Sequence, residues 1–280
     1  MKKKKFIIIT GCSTGIGYET AKYLKEKKFK VIVTCRNNKD VKRLSKEFDY
    51  SIQLDTSFSN SIKKSFILIQ KIVKNDSVYG IFCNAGYGQF GAVEDLTRAL
   101  ISEQFETNLF GHIELINLFI PLMRKQNEGR IIFNSSVLGL VSLPFTSAYN
   151  ATKFAMEAFA ISLRLELINT NIKVSLIEPG PIEANFNINA LKNLKRLKIN
   201  SSVYKKRYYK TMKYLKDGRN YFTLPALSVA KKVHSALKSK KPKTQYFVTL
   251  PTYVMSYLRI LPNPIFENFL YLVDKERQKN

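Results

Sequence analysis

Short apolar runs alternate with helical stretches through the first two-thirds of the chain, and this alternation restricts the fold more than any other feature. The runs are rich in β-branched residues and show little alternation of polar and apolar side chains, which is typical of strands buried on both faces. Strands are predicted at Lys5–Thr10, Lys30–Thr34, Ser51–Leu54, Val78–Cys83, Arg130–Asn134, Lys173–Ile177 and, after a less regular stretch, Gln245–Thr249. Helices are predicted at Tyr18–Lys28, Ser59–Lys74, Ile101–Lys125 and Ala148–Asn169. This order predicts an α/β fold with a doubly wound parallel sheet of about seven strands and helices on both faces.

The composition is that of an ordinary globular protein. Of the 280 residues, 45% are hydrophobic and 24% are charged, which excludes a disordered chain. No linker, repeat or low-complexity tract divides the sequence, so we expect a single domain over residues 1–280. Three scattered cysteines and two histidines, His112 and His234, argue against a disulfide framework, a His/Cys zinc site and a hydrolase with a histidine base. We therefore expect no metal site, and chemistry that uses other acids and bases.

Two segments imitate targeting or membrane signals. At the start, lysines precede the apolar run Phe6–Ile9, which is shorter than the roughly 7–15 apolar residues of a signal sequence, so we expect a buried strand. Near the end, Tyr253–Val273 is largely apolar, but charged residues and two prolines interrupt it. A spanning helix needs about 20 mostly apolar residues, so this segment is not expected to cross a membrane.

A glycine-rich segment follows the first predicted strand and opens the first helix. It reads Thr10-Gly11-Cys12-Ser13-Thr14-Gly15-Ile16-Gly17. Glycines permit a tight turn and a close approach of the backbone to a pyrophosphate, whose charge is then bound by N–H groups at the helix N-terminus. The strand before the segment and the helix after it are the context that this motif requires. The segment predicts a dinucleotide-binding turn in a Rossmann-type sheet; a tight turn without a ligand is the alternative.

Together with later motifs, this segment resembles the short-chain dehydrogenase/reductase family, whose members carry Thr-Gly-x-x-x-Gly-x-Gly at this place. The later motifs, in order, are Asn84-Ala85-Gly86 after the fourth strand, Asn108 in the long helical stretch, Ser136 with Tyr149 and Lys153, and Pro179-Gly180 after the sixth strand. Tyr-x-x-x-Lys occurs five times in this lysine-rich chain, but only Tyr149 lies thirteen residues beyond a serine that follows a predicted strand. The resemblance covers about residues 10–185. It implies a variable substrate-loop region at about 183–224, which an apolar and basic tail follows at about 250–280.

The resemblance implies a catalytic group made of Asn108, Ser136, Tyr149 and Lys153. Helical spacing puts Lys153 near the Tyr149 hydroxyl. This ammonium, with a positively charged nicotinamide in the oxidised complex, is expected to lower the pKa of the phenol from about 10. Tyr149 can then exchange a proton with a carbonyl or alcohol oxygen that Ser136 also hydrogen-bonds. By resemblance, Lys153 binds the nicotinamide ribose, Asn108 holds a proton-relaying water, and hydride passes between the nicotinamide and the substrate carbon. His112, one turn beyond Asn108, is expected to be structural.

The end of the second strand predicts the choice of cofactor. Cys35 stands where an NAD-binding site has an acid for the ribose 2′-hydroxyl, and Arg36 follows with a planar fork that suits a 2′-phosphate. We therefore expect NADP(H) to be preferred over NAD(H), although Thr14 is not the basic residue that some NADP(H)-using relatives carry in the turn. The cofactor contacts that the resemblance implies are Gly11, Ser13, Thr14, Gly15, Ile16, Gly17, Arg36, Asp55, Asn84, Ala85, Gly86, Tyr149, Lys153, Pro179, Gly180 and Ile182. The chain departs from the family pattern at Cys83, where an asparagine is usual, and at Ala184, where a threonine often contacts the nicotinamide.

These residues predict an NADPH-dependent oxidoreductase that interconverts a hydrophobic aldehyde or ketone and an alcohol. An NADPH-binding regulator or membrane-surface protein without turnover is the alternative. We expect an apolar substrate pocket between Tyr87–Phe90, Leu138–Phe145 and the segment after Pro181, similar to the branch of the family that handles steroids, retinoids and lipid-like carbonyls. The resemblance also implies a homodimer or homotetramer that pairs the helices Ile101–Lys125 and Ala148–Asn169, and we expect a cytoplasmic protein.

The basic stretch Lys192–Lys243 contains 17 lysines and arginines and a single acid, Asp217, and supplies most of the net charge of +25. Three interpretations are open. The stretch is a solvated face, which we favour; it attracts an anionic membrane surface at the inner face of the membrane, with Tyr253–Val273 as an amphipathic element; or it guides an acidic substrate or nucleic acid. Tyrosines interleave with the lysines as in some nucleic-acid patches, but the chain contains no recognised nucleic-acid module, so nucleic acid is disfavoured.

Overall fold

A parallel β-sheet forms the centre of the computed structural model, which describes residues 4–217 and 221–277. The strands of this described part are β1 (Lys5–Ile9), β2 (Lys30–Cys35), β3 (Tyr50–Gln53), β4 (Ser77–Cys83), β5 (Gly129–Asn134), β6 (Ile172–Glu178), β7 (Ile182–Glu183), β8 (Leu224–Pro225) and β9 (Gln245–Phe247). Seven of them pair in the order β3-β2-β1-β4-β5-β6-β9, and every pairing is parallel. Strands β7 and β8 form a separate two-stranded ribbon.

Eleven α-helices lie within the described residues. They are α1 (Gly15–Glu26), α2 (Asn38–Leu44), α3 (Ser59–Val73), α4 (Arg98–Phe105), α5 (Gly111–Lys125), α6 (Ser147–Glu166), α7 (Phe186–Leu194), α8 (Lys205–Asp217), α9 (Leu227–Lys238), α10 (Leu250–Leu258) and α11 (Asn263–Arg277). A π-helical turn, Glu106–Phe110, joins α4 to α5, and short 3₁₀ turns occur at Val93–Asp95, Val137–Gly139 and Ile199–Ser201.

Helices cover both faces of the sheet. On one face α3, α5 and α6 pack on the strands, and Phe119 of α5 is fully buried there. On the other face α1, α2 and α9 pack on the strands, and Leu24 of α1 is fully buried. Successive residues of β1 point to opposite faces, so Ile8 belongs to the first core and Ile7 to the second. A strand with cores on both sides needs apolar residues at every position, which explains the uninterrupted apolar runs in the sequence.

The predicted sheet is confirmed: all seven predicted strands are present, with ends that differ by no more than two residues. The long helix predicted at Ile101–Lys125 differs, because a π-helical turn divides it. Just beyond that turn, a Cβ on Gly111 would lie 1.7 Å from the Thr56 carbonyl oxygen, so only glycine lets the helix pass the loop after β3 this closely. The short helix α2 and the later helices α7 to α11 were not assigned from the sequence, where lysines and prolines obscure their periodicity.

The carboxyl ends of β1 and β4 define where a ligand can enter the sheet. These two strands are neighbours, but the chain leaves β1 toward β2 on one side and returns through β4 on the other. The connections therefore diverge above the ends of β1 and β4 and leave a crevice, which is the usual binding place in such sheets. The glycine turn after β1 and the Asn84 segment after β4 both border this crevice.

Two further apolar clusters lie over the same edge of the sheet. One brings α7 and α8 against Phe90, Phe145 and Tyr149. The other brings α10 and α11 against Leu140 and Val141. In the described part of the chain, no helix has the length and apolar character needed to cross a membrane.

Candidate active site

The glycine turn is fastened to the end of β4 by Thr10. The Thr10 hydroxyl oxygen accepts hydrogen bonds from the backbone N–H groups of Asn84 (2.8 Å) and Ala85 (2.9 Å). Gly11 has a φ of +71°, and a Cβ there would lie 2.8 Å from the Ala85 Cα. Both the backbone conformation and the closeness of the second segment therefore require glycine at this position. The predicted cofactor residues Gly11, Asn84, Ala85 and Gly86 thus come together.

The N-terminus of α1 is open toward the crevice. Helix α1 begins at Gly15 and continues through Ile16 and Gly17. Among the described residues, the Thr14 side chain makes no capping hydrogen bond and no acidic residue lies in the first turn. The first N–H groups of this helix therefore keep their capacity to bind an anion. Together with the glycine cradle, this arrangement fits a dinucleotide pyrophosphate.

A line of hydrogen bonds joins Lys153 to the glycine turn. The buried Lys153 Nζ donates to the Asn134 carbonyl oxygen (2.5 Å), and the Asn134 side chain donates to the Asn84 Oδ1 (2.9 Å). The Asn84 side chain in turn donates to the Thr10 carbonyl oxygen (2.8 Å). The line spans α6, β5, β4 and β1. Asn134 was not predicted as a site residue; its place at the end of β5, one strand from Asn84, is the signal that would have found it.

Ser136 and Tyr149 lie close together, as predicted, but the pKa of Tyr149 is raised and not lowered. Burial raises that pKa to about 12, and a hydrogen bond with the Ser136 side chain opposes the rise. The loss of water around the phenol is the largest influence on this pKa, and the Lys153 ammonium adds no lowering of it. Lys153 Nζ lies 5.5 Å from the centre of the Tyr149 ring. In the absence of a nicotinamide charge, Tyr149 is therefore a protonated phenol at neutral pH.

Burial has the opposite effect on the pKa of Lys153. It lowers the pKa of the ammonium to about 8, and the charge of Glu157, one helical turn later, raises it in part. Glu157 and Glu178 form a buried acid pair behind Lys153, and burial raises the pKa of both carboxyl groups. This pair was missed from the sequence, because the two residues are 21 positions apart and meet only through packing of α6 on β6.

Asn108 lies in the π-helical turn and is fully buried. Its side chain accepts a hydrogen bond from the Tyr87 N–H (3.1 Å) and donates to the Tyr87 carbonyl oxygen (3.0 Å) and the Thr152 hydroxyl (3.2 Å). Asn108 therefore anchors the segment after β4 to α6. Its role in holding a water stays a prediction.

His112 is structural, since both ring nitrogens are used inside the protein. Nδ1 lies 3.2 Å from the Asn108 carbonyl oxygen, which can only accept, so Nδ1 carries the proton. Nε2 then accepts from the Thr10 hydroxyl at 3.2 Å. Burial, helped by the Lys153 charge, lowers the pKa of His112 to about 3.

The residues predicted for the adenosine half of the cofactor border the other end of the crevice. Arg36 follows β2 and is exposed, and its carbonyl oxygen accepts a hydrogen bond from the Gln53 side chain. The Asp55 carboxylate accepts from the Ser57 N–H (3.0 Å) and hydroxyl (2.7 Å). Arg43 was not predicted, yet its guanidinium donates to the Ser13 carbonyl oxygen in the glycine turn (2.6 Å).

The loop after β6 closes the crevice from the far side. The Pro179 carbonyl oxygen accepts a hydrogen bond from the Val137 N–H (2.8 Å), which fixes the loop beside Ser136. Ile182 begins β7 and packs against the core that contains Ile9 and Cys12. A Cβ on Gly15 would lie 3.2 Å from the Ala184 Cβ, so Ala184 faces the start of α1.

A cluster of aromatic side chains adjoins the Tyr149 ring. Phe186, the first residue of α7, packs edge-on against Tyr149 at 5.2 Å between ring centres and against Phe90 at 6.1 Å. Phe145 packs on Tyr208, which is fully buried and donates to Asp95. Tyr208 therefore belongs to the core and not to an exposed basic patch. Phe186 was missed, because the sequence gives no sign that it folds back onto Tyr149.

The parallel sheet, the glycine cradle and the serine, tyrosine and lysine around one point define a dinucleotide-dependent oxidoreductase. The family model described as short chain dehydrogenase matches residues 5–195. The chain belongs to the short-chain dehydrogenase/reductase family of enzymes.

Curated relatives agree over nearly the whole chain. "Uncharacterized oxidoreductase YbbO" of Escherichia coli strain K12 is 38% identical over 270 residues, covering 95% of this chain and 94% of that protein. "Probable short-chain type dehydrogenase/reductase VdlC" of Helicobacter pylori strain J99 is 34% identical and covers 98% of this chain and 99% of that protein. Human 17-beta-hydroxysteroid dehydrogenase type 1 is 29% identical, and the match covers 96% of this chain and 85% of that protein.

Solved structures share the fold at lower identity. A short-chain dehydrogenase/reductase of Burkholderia phymatum in complex with NAD superposes with a TM-score of 0.79 at 20% identity, covering 91% of this chain and 92% of that one. The closed form of a serine dehydrogenase complexed with NADP+ gives a TM-score of 0.74 at 21% identity, covering 87% of this chain and 94% of that one. The two complexes hold different cofactors on the same fold.

Replacing His112 with asparagine is expected to make the protein less sensitive to acid. A histidine in the unfolded chain gains its proton near pH 6.5, whereas His112 in the folded protein stays neutral down to about pH 3. Between these values the unfolded state binds more protons, so the free energy of unfolding falls as the pH is lowered, by up to about 1.4 kcal/mol per pH unit.

Urea unfolding at intervals from pH 7 to pH 4 measures this slope. We expect His112→Asn to be less stable at pH 7, because it loses buried contacts. Its free energy of unfolding should fall less steeply as the pH is lowered, by the equivalent of about one bound proton. Parallel stability curves for the two proteins would contradict a neutral, buried His112.

Proposed function

We propose that this enzyme is an NADPH-dependent oxidoreductase that interconverts a hydrophobic carbonyl compound and its alcohol. The convergence of Ser136, Tyr149 and Lys153 beside the glycine turn carries the proposal. When bound, the nicotinamide would supply the hydride chemistry. The chain's own residues orient the carbonyl oxygen and deliver its proton.

Tyr149 is the proposed acid. Its raised pKa keeps the hydroxyl protonated at neutral pH, which suits the donation of a proton to a carbonyl oxygen during reduction. Ser136 holds the same oxygen by a hydrogen bond. Lys153, fixed by its bond to the Asn134 carbonyl oxygen, places a positive charge beside the phenolate that forms. Asn108 is the proposed holder of a water through which the proton is replaced.

The preference for NADP(H) over NAD(H) is supported by charge. Arg36 is exposed at the end of β2, and the buried Cys35 supplies no carboxylate for a ribose 2′-hydroxyl. Ser13, Thr14, Asp55, Pro179, Gly180 and Ile182 are proposed cofactor contacts together with the residues of the turn.

The substrate class is supported by the apolar side chains around Tyr149. Phe90, Phe145 and Phe186 belong to the same apolar cluster as Tyr149, and a second cluster contains Leu140 and Val141. Among the relatives, one is named a 17-beta-hydroxysteroid dehydrogenase, which agrees with an apolar substrate for this chain. We propose that residues 1–280 act as one cytoplasmic domain in which region 183–224 binds the substrate.

Tyr149→Phe is expected to lower kcat for carbonyl reduction by at least about 100-fold, since general acid catalysis contributes roughly that factor or more. The measurement follows NADPH and NADH consumption with medium-chain aldehydes, retinal and ketosteroids. NADPH binding by the variant should be nearly unchanged, because the phenylalanine keeps the ring that packs on Phe186.

Tyr253→Phe provides the matched control, since it removes a hydroxyl from a partly exposed tyrosine of α10. Full turnover by Tyr149→Phe would refute the assignment of the acid. Tight NADPH binding by the wild type with no turnover of any carbonyl would favour the alternative, a cofactor-binding regulator.

We also propose that the enzyme is a homodimer or homotetramer that pairs α4–α5 and α6 between copies. The outer surface of α6 exposes apolar side chains that include Ile161 (49% exposed) and Leu165 (65%). Burial of such side chains is a typical reason for association.

Light scattering during gel filtration should give at least twice the mass of one chain for the wild type, and a smaller mass for Leu165→Lys. The control Ile188→Lys, on α7, places the same charge at a similarly exposed apolar residue outside the proposed interface. A wild-type mass equal to one chain would contradict the proposal.

Contact with an anionic membrane surface is a second proposed interaction, supported by the outer face of α10 and α11. Tyr257 of α10 (71% exposed), Ile260 in the turn between the helices (81%) and Ile265 of α11 (56%) are exposed apolar side chains, on a chain with a net charge of +25. Apolar area combined with positive charge favours binding at an anionic lipid interface.

Vesicles of phosphatidylcholine with about one-third phosphatidylserine are the probe, since anionic lipids attract basic segments. The wild type should sediment with them, less so at high salt, and Tyr257→Glu/Ile260→Glu should not, whereas Ile188→Glu should behave as the wild type. Wild-type protein that stays in the supernatant at low salt would exclude this contact.

A further inference from the structure

Arg43 reaches the glycine turn from α2, which packs on the same face of the sheet as α1. It lies in α2, thirty residues after Ser13, and its Nη2 donates to the Ser13 carbonyl oxygen at 2.6 Å. The same nitrogen lies 3.3 Å from the Asp40 carboxylate. Two bonds from one nitrogen hold a long, flexible side chain in one position, which lowers the entropy lost when it binds a further group.

The position of Arg43 is the adenosine end of the crevice. Its charge acts on Cys35 at the end of β2 and on Tyr18 in the first helix, so the guanidinium lies between these two elements. Arg36 directly follows Cys35. The ribose of a dinucleotide bound in such a crevice lies between the glycine turn and the end of the second strand.

The remaining donors of Arg43 are directed to no other group. Within residues 4–217 and 221–277, both contacts of the guanidinium use Nη2, and no hydrogen bond occupies Nη1 or Nε. A guanidinium has five N–H donors in a planar fork, so three are available to an anion. Arg43 is also partly exposed, with 45% of its side-chain surface accessible.

Resting on the proposed preference for NADP(H), we propose that Arg43 is a second arginine for the ribose 2′-phosphate, acting together with Arg36 at the end of β2. The glycine turn itself lacks a basic residue, because Thr14 occupies the position next to Ser13. Arg43 brings a positive charge to the same place from a different helix. Specificity for the phosphate therefore comes from α2 and the end of β2 together.

Asp40 is the one acid bonded to Arg43, and it limits the strength of the site. A carboxylate beside a phosphate ligand repels it, but Arg36, Lys39, Lys42 and Arg43 surround this acid within eight residues of sequence. The net charge of this segment stays positive, and the hydrogen bond to Asp40 orients the Arg43 guanidinium. Asp40→Asn, which keeps a possible bond and removes the negative charge, should tighten binding of NADPH and leave NADH unchanged.

Calorimetric binding of NADPH and of NADH to the purified protein tests the proposal without any turnover. Arg43→Gln should weaken NADPH binding by about tenfold, the size expected for loss of one charge-assisted hydrogen bond, and leave NADH binding unchanged. Arg43→Lys should restore part of the loss. Lys42→Gln, the neighbouring exposed residue on the same helix, removes the same charge and should change neither affinity by more than about twofold.

Each outcome separates this proposal from the one it rests on. If the wild type binds NADH as tightly as NADPH, the cofactor preference itself is wrong. If the wild type prefers NADPH, and Arg36→Gln abolishes the preference while Arg43→Gln does not, Arg43 has no part in it. If Arg43→Gln weakens both cofactors equally, Arg43 only supports the turn through Ser13, and the proposal is overturned.

Discussion

The hydrogen-bond line from Lys153 through Asn134 and Asn84 to Thr10 holds the site together. Each bond crosses from one element to the next, so α6, β5, β4 and the glycine turn have fixed relative positions at the carboxyl edge of the sheet. Thr10 adds a second attachment by accepting from the backbone of Asn84 and Ala85. Lys153, beside the proposed acid Tyr149, and the glycine turn, the proposed cofactor cradle, therefore belong to one hydrogen-bond network.

A buried ammonium is costly, and the network explains how it is tolerated. Burial lowers the pKa of Lys153 to about 8 from 10.5, which corresponds to on the order of 3 kcal/mol against the charged form. The Asn134 carbonyl oxygen satisfies one of its donors, and Glu157 supplies a compensating negative field. Burial raises the pKa of Tyr149 to about 12 at the same time, so two neighbouring groups have pKa values shifted in opposite directions. Such opposite shifts within one site are typical of catalytic groups.

The sequence was sufficient for features that depend on local pattern. Buried parallel strands appear as continuous apolar runs, and the glycine turn carries its own spacing, so the sheet and the turn were both predicted. Features that depend on tertiary contacts could not be predicted from the sequence. Arg43 contacts Ser13, which lies 30 residues earlier, and Phe186 contacts Tyr149, which lies 37 residues earlier. No sequence periodicity predicts either contact. The rise that burial causes in the pKa of Tyr149 was not predicted for the same reason, because the spacing shows that Lys153 is near but not how completely both residues are removed from water.

We propose that the crevice between the glycine turn and the end of β4 binds a reduced nicotinamide dinucleotide. The most direct test is a titration of the purified protein with NADPH, followed by the fluorescence of the nicotinamide. The account predicts saturable binding of one NADPH per chain, with the emission changed by transfer of the nicotinamide into the apolar surroundings of Tyr149 and Phe186. Failure of both NADPH and NADH to bind to the folded protein would contradict it.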